Sequence, residues 1–417
     1  MNRRILLIIA FIIVVIIIGI LIYFVFFKDF ISPANNAINN AGVNGELPIS
    51  NDAVNRITIN EVINRLPLTN DTINVNVQAQ PDRVAQGGAT IASLVTQDTT
   101  LGAVIDADGL SIVYYDPVTG KFYRISNDGK TKVELSDKVF HQVDTIDWSP
   151  NRNEAIITFP DGSKILYNFL NDTQVTLPKE WDDVEFSPEG NQVAYKYLAE
   201  DEDSRWLAIA NPDGTEVRGI EPIGDKGDDV QVAWSPSNQS VALFHESSGT
   251  SSEEVLPIGF HGENYKSFSV DGRGFEGQWS PTGDRVLYST YSSDTNFNPT
   301  LSIVDAQGQD IGLNHQQMSI QTWANKCTFS NLSNVVYCAV PQSLPEGSGI
   351  YPELAETVPD TFWQIDLQNG IKSRLADPVT ETGGGSFTAK SISLSSDERY
   401  LYFTDASTGR VHKIQIR

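Results

Sequence analysis

The sequence predicts an all-β fold built from repeated four-stranded units, and three observations carry that prediction. A short phrase recurs as Trp148-Ser149-Pro150, Phe186-Ser187-Pro188, Trp234-Ser235-Pro236 and Trp279-Ser280-Pro281. After each copy come a turn residue or two and an alternating apolar run; Val193-Ala194-Tyr195 follows Gly190, and Val286-Leu287-Tyr288 follows Gly283. Degenerate copies extend the series at Phe329-Ser330-Asn331, at Leu394-Ser395-Ser396 and, upstream, at Ile105-Asp106-Ala107-Asp108-Gly109. About seven copies at a spacing of roughly 40–65 residues are the signature of a β-propeller with one blade per repeat.

The phrase has a physical reading. Proline closes a strand and pre-sets the first turn position, glycine supplies the positive φ, and a period-2 strand returns. Asn238 stands in the glycine position of the third copy, and Asn tolerates that conformation best after glycine. The first copy departs further, with Arg152 between two asparagines. This repeat resembles the TolB-like, WD-repeat-like propeller repeat of bacterial periplasmic proteins, also found in propellers of the prolyl oligopeptidase family. The resemblance covers about three quarters of the chain and implies fold rather than activity, because such propellers host many unrelated functions.

At the N-terminus, residues 1–4 carry Arg3 and Arg4 and lead into residues 5–27, which contain no charged side chain. Roughly 20 apolar residues span a bilayer core, and a cleaved leader would have a shorter apolar region with small residues at its end. The run ends instead in Tyr23, Phe24, Phe26 and Phe27, which suit a membrane interface. The expectation is a single-pass transmembrane helix over 5–27 with residues 1–4 in the cytoplasm. Everything after Lys28 would then lie outside, in the periplasm or at the cell surface, by the positive-inside tendency. Residues 28–88 are rich in asparagine and read as a flexible linker. Within it, residues 54–66 could form a short amphipathic element.

The β-pattern begins at residue 89, ahead of the first turn phrase, while the last repeat stops one strand short. The two ends fit together. A strand over 89–96 would complete the last blade and close the ring, leaving no open edge. The domain expected over 89–417 therefore has seven blades, with six as the alternative. Within a repeat the strands run from axis to rim. The longer excursions fall at 198–204, 245–254, 289–299 and 341–360, between second and third strands, and at 221–229, between blades. These connections share one face, and long loops on a rigid scaffold are where function concentrates. The candidate binding residues on that face are Glu200, Asp201, Asp203, Asp228, Asp229, Glu253, Asn296, Glu346, Tyr351 and Glu353. The longest excursion also carries Glu356 and Asp360.

Several chemistries are excluded or weakened. A net charge of -24 argues against a nucleic-acid partner, since phosphate binding needs clustered Lys and Arg. The histidines at 141, 245, 261, 315 and 412 are scattered and form no zinc motif, and no Gly-x-Ser-x-Gly elbow occurs. Acidic runs at Glu200–Asp203 and at Asp225, Asp228 and Asp229 offer hard oxygen ligands for Ca²⁺, yet without EF-hand spacing; no cofactor is expected. Cys327 and Cys338 flank one turn phrase on adjacent strands, where a cross-strand disulfide and a pair of buried thiols both fit. The sequence thus reads as a tethered, non-catalytic scaffold binding a protein or polymeric ligand at its long-loop face. The alternatives are a propeller hydrolase or lyase acting on glycans, with acids converging on the channel, and a passive envelope component.

Overall fold

The computed structural model describes residues 80–417 apart from Thr250 and Asn264. The anchor expected over 5–27, the residues before it and most of the 28–88 linker lie outside the described residues. Among those described, no helix is long and apolar enough to cross a membrane.

Seven sheets form seven blades, which excludes the six-bladed alternative. The first five blades occupy residues 101–134, 145–177, 181–222, 230–271 and 273–317, and each contributes four antiparallel strands in chain order. The sixth and seventh, at 327–379 and 389–415, each gain a strand from the N-terminal segment. Ser93–Leu94 pairs antiparallel with Val411–Gln415 and supplies the missing fourth strand of the last blade. The stretch expected to be one strand is divided, because Ala89–Ile91 instead pairs parallel with Lys372–Val379 as a fifth strand of blade six. Pairing also starts upstream of residue 89. The amide of Ala85 donates to Gln415 O at 2.8 Å, and that of Gly87 donates to Leu375 O at 2.9 Å. The N-terminal segment therefore clasps two blades at once.

The second strand of each blade is buried on both faces, as in Val193-Ala194-Tyr195, because a neighbouring blade covers either side. Successive side chains point to opposite faces, so Ala194 and Tyr195 serve different interfaces. Tyr195 packs with Ile156 and Leu166 of blade two, and Ala194 with Trp234 and Val241 of blade four. Seven apolar clusters fill the seven gaps in this way. The last joins Tyr402, Val411 and Val95 to Ile112 and Tyr114 of blade one and seals the ring.

Every turn phrase adopts one geometry. The residue three after the serine, or after Asp106 in the first copy, donates back to that residue's carbonyl. The donors are Gly109, Arg152, Gly190, Asn238, Gly283, Ser333 and Glu398. All take positive φ, Arg152 at 57° and Glu398 at 53° included. At Arg152 the side chain helps to hold the strained turn: its Nε donates to Ile105 O at 3.0 Å. In five of the six copies that carry serine, its buried hydroxyl also accepts the amide five residues on, from Gln192, Arg285 and Tyr400 among others.

Candidate functional site

Two regions gather polar or exposed apolar chemistry: the channel wall and the face carrying the long loops. On the channel wall, each innermost strand has an open edge of unpaired backbone groups. Side chains one and three residues before the phrase reach across to satisfy the next blade's edge. Glu185 accepts the amide of Trp234 at 2.7 Å, and Asp183 accepts that of Val232 at 2.8 Å. Gln231 exchanges two hydrogen bonds with Gly277, and Gln278 donates to Cys327 O at 3.2 Å. Asn325 donates to Glu276 at 2.7 Å.

This lining surrounds a cavity of about 610 Å³ beside Asp183, Glu185, Gln231, Glu276 and Gln278. Burial, with the nearby charge of Asp183, pushes the Asp147 carboxyl up to about 7. Burial, opposed by the Trp234 amide and reinforced by Asp183 and Asp147, pushes Glu185 up to about 8. Burial also raises Asp183, whose nearest cation, Lys196, lies 3.6 Å away. None of these acids was nominated from the sequence. The signal was present: a polar residue stands one or three positions before six of the seven phrases, on one side of the strand by alternation.

On the loop face, the longest connection, 342–359, docks on the preceding blade's loop, 292–298. Gly347 donates to Asn296 O at 2.9 Å, and Gly349 donates to Phe297 O at 2.8 Å. Gly349 has to be glycine, because a Cβ there would sit 2.5 Å from that of Tyr291. Asn296 and Phe297 both have φ near 54°, an uncommon conformation for a non-glycine residue and a costly one for an aromatic. The paired loops present Phe297, Ile350, Tyr351 and Leu354 to solvent, with Tyr351 57% exposed. Glu346, Glu353 and Glu356 are exposed on the same loop.

The other nominated residues are dispersed. Glu200, Asp201 and Asp203 lie on the exposed connection 198–205, where Asp201 accepts the Ser204 hydroxyl at 2.9 Å. Asp228 and Asp229 form part of the turn Gly227–Asp229 between blades three and four. Two expectations are corrected. The excursion at 245–254 is mostly strand, Ser240–Ser247 and Ser252–Gly259, so its loop shrinks to 248–251. Glu253 is consequently buried, accepting the amides of Gly274 and Phe275 in blade five. Asp360 likewise opens a strand rather than a loop, 1% exposed and paired with Lys326 at 2.7 Å.

Cys327 and Cys338 face each other across the first and second strands of blade six and are disulfide-bonded. Among the described residues, no group of three or more His, Cys, Asp or Glu is placed to hold a metal ion.

No protein-family model matches the chain, and no curated protein matches it either. Solved structures do. The Cps50 (Swd1) β-propeller domain of Myceliophteria thermophila is 12% identical and aligns over 78% of this chain and all of its own, with a TM-score of 0.53. An oligogalacturonate lyase in complex with manganese is 11% identical over 78% of this chain and 90% of its own, at TM-score 0.49. TolB from Acinetobacter baumannii is 14% identical over 64% of this chain and 63% of its own, at 0.42. The chain is thus similar in fold to the Cps50 (Swd1) propeller, and likeness at this identity extends to fold alone.

Proposed function

We propose that the chain is a membrane-tethered, extracytoplasmic β-propeller that serves as a non-catalytic scaffold, binding a protein or polymeric ligand on its long-loop face. The observation that carries this reading is the cluster of Phe297, Ile350, Tyr351 and Leu354, held exposed by two interlocked loops. Soluble surfaces scatter large apolar side chains, whereas a group of them on one rigid loop pair marks an interaction site. The acids around it favour a partner with an apolar centre and basic flanks. The charge-free run at 5–27 supports the tether, and a disulfide suits an oxidising compartment. A photo-crosslinking residue at Tyr351 should trap a partner in native membranes. The same residue at Val118, on a short exposed turn of blade one, should not. Equal yields from both positions would sink the reading.

One observation favours a catalytic alternative. Asp147, Asp183 and Glu185 converge at the channel, and carboxyls raised to about 7 and about 8 stand where a general acid operates. Against it, Asp183 and Glu185 already tie blade three to blade four. Glycan cleavage by the full-length protein that disappears in Glu185→Gln would favour the enzyme.

A further inference from the structure

A second surface lies apart from the loop patch, at the rim between blades two and three. Tyr195 and Tyr197 on one strand, Ala208 and Trp206 on the next and Gly219 on the outermost share one face of blade three. Their ladder pairs are Tyr197 with Trp206, Tyr195 with Ala208, and Ala208 with Gly219. Blade two does not cover this face fully. Its outer strand, Thr173–Leu177, buries only Leu177 and leaves the rest exposed. What remains is a cavity of about 550 Å³ walled by Trp181, Tyr195, Tyr197 and Trp206. Trp181 stacks on Tyr195 with ring centroids 3.8 Å apart and so fixes the inner wall. The indole of Trp206 lies over Gly219, where a Cβ would come within 2.8 Å of the ring, yet Trp206 remains 39% exposed. Covering the glycine accounts for one face of that ring and leaves the rest of it free.

The surroundings are negative. Ser204, at the cavity's edge, follows Glu202 and Asp203, while Glu180 adjoins Trp181 and Glu216 adjoins the exposed Val217. The neighbouring cations are already engaged. Lys179 pairs with Asp161 at 3.1 Å, Arg205 donates to Ala199 O at 2.9 Å and pairs with Glu202, and Arg218 donates to Phe260 O at 2.9 Å. Aromatic ring faces attract cations, and the excess of exposed acids on the segments adjoining the cavity, Glu180, Asp203 and Glu216 among them, adds to that attraction. We propose that this groove is a binding site for a lysine or arginine side chain of a partner polypeptide, seated against the Trp206 and Tyr197 rings. The site goes beyond the scaffold reading and does not depend on the loop patch.

The test titrates the full-length protein in detergent with a short lysine-containing peptide and with the same peptide carrying glutamine instead, following tryptophan fluorescence and calorimetric heat. Saturable binding of the lysine peptide alone is expected. Trp206→Ala should weaken it at least tenfold with the melting temperature nearly unchanged, and Glu202→Gln with Glu216→Gln should weaken it several-fold. Trp206→Leu, which still covers Gly219, separates loss of the aromatic face from loss of fold and should match the alanine variant. Tyr351→Ser should have no effect. Equal binding of the glutamine peptide, full affinity in Trp206→Leu, or competition by a neutral oligosaccharide would each overturn the assignment.

Discussion

The buried pair of Lys326 and Asp360 offers the most demanding test of how the blades are tied. Both carboxylate oxygens of Asp360 accept from Lys326 Nζ, at 2.8 and 2.7 Å, and one also accepts the Ala389 amide of blade seven at 2.7 Å. The side chains are 10% and 0% exposed, so water cannot replace either partner. Removing one member of such a pair strands a buried charge, at about 3–5 kcal/mol. Lys326→Met should therefore lower the unfolding free energy by about that amount at neutral pH. The loss should also depend on pH, with a definite sign. Burial already raises the Asp360 carboxyl above its ordinary value despite the opposing Lys326 charge. Without the cation it rises further, so the folded state holds a proton that the unfolded chain releases. Stability of the variant is then greatest below the ordinary carboxylate range and falls as pH climbs towards the raised folded value. Urea unfolding of both proteins at about pH 5 and pH 8 reads this directly. The deficit of Lys326→Met should be smaller at the lower pH, and pairing it with Asp360→Leu should recover part of the loss. A deficit under about 1 kcal/mol that is flat with pH would refute the reasoning.

Other perturbations address closure, the disulfide and the channel acids. Val95, 2% exposed, bridges blades seven and one; Val95→Ala removes two methyl groups and should cost about 2–3 kcal/mol. Amide exchange should then accelerate in Val411–Gln415 before the middle blades respond, whereas uniform acceleration would argue against a local clasp. The cysteines are 11 residues apart, so replacing both with alanine should cost about 3 kcal/mol on the loop-entropy scale, measured by urea midpoint. At the channel, the raised values of Asp147 and Glu185 make stability fall as pH rises from about 4 towards about 8. Asp147→Asn with Glu185→Gln should flatten that slope; an unchanged slope would place the titration elsewhere.

Much of this fold was legible because one local conformation repeats. The phrase residues specify a turn whose geometry does not depend on distant contacts, so even Ser333 and Glu398 mark it where glycine is missing. Closure was legible from arithmetic: a strand spare at one end and lacking at the other. Its division between two blades was not, since parallel pairing of Ala89–Ile91 follows from where blade six exposes an edge. Connection length also located the longest loop, which the flanking strands trim to 342–359 and on which Tyr351 is exposed. The same criterion misread Glu253, because the Ser, Gly and Thr of 247–252 look like part of a longer loop, whereas the strands run up to Ser247 and resume at Ser252. The channel acids escaped because side chains from separate blades converge there, and the Trp206 groove because it depends on blade two leaving one face of blade three partly uncovered. Sequence fixes their inward alternation but not the gap left between blades.

The most direct measurement of the binding claim is a cross-linking pull-down from native membranes. It compares the intact chain with a variant carrying Phe297→Ser, Tyr351→Ser and Leu354→Ser. These side chains are exposed, so melting should stay within a few degrees of the parent. The expected result is a partner recovered with the intact chain and lost with the variant. Identical recovery from both, with folding intact, would contradict the loop-face scaffold and turn attention to the channel.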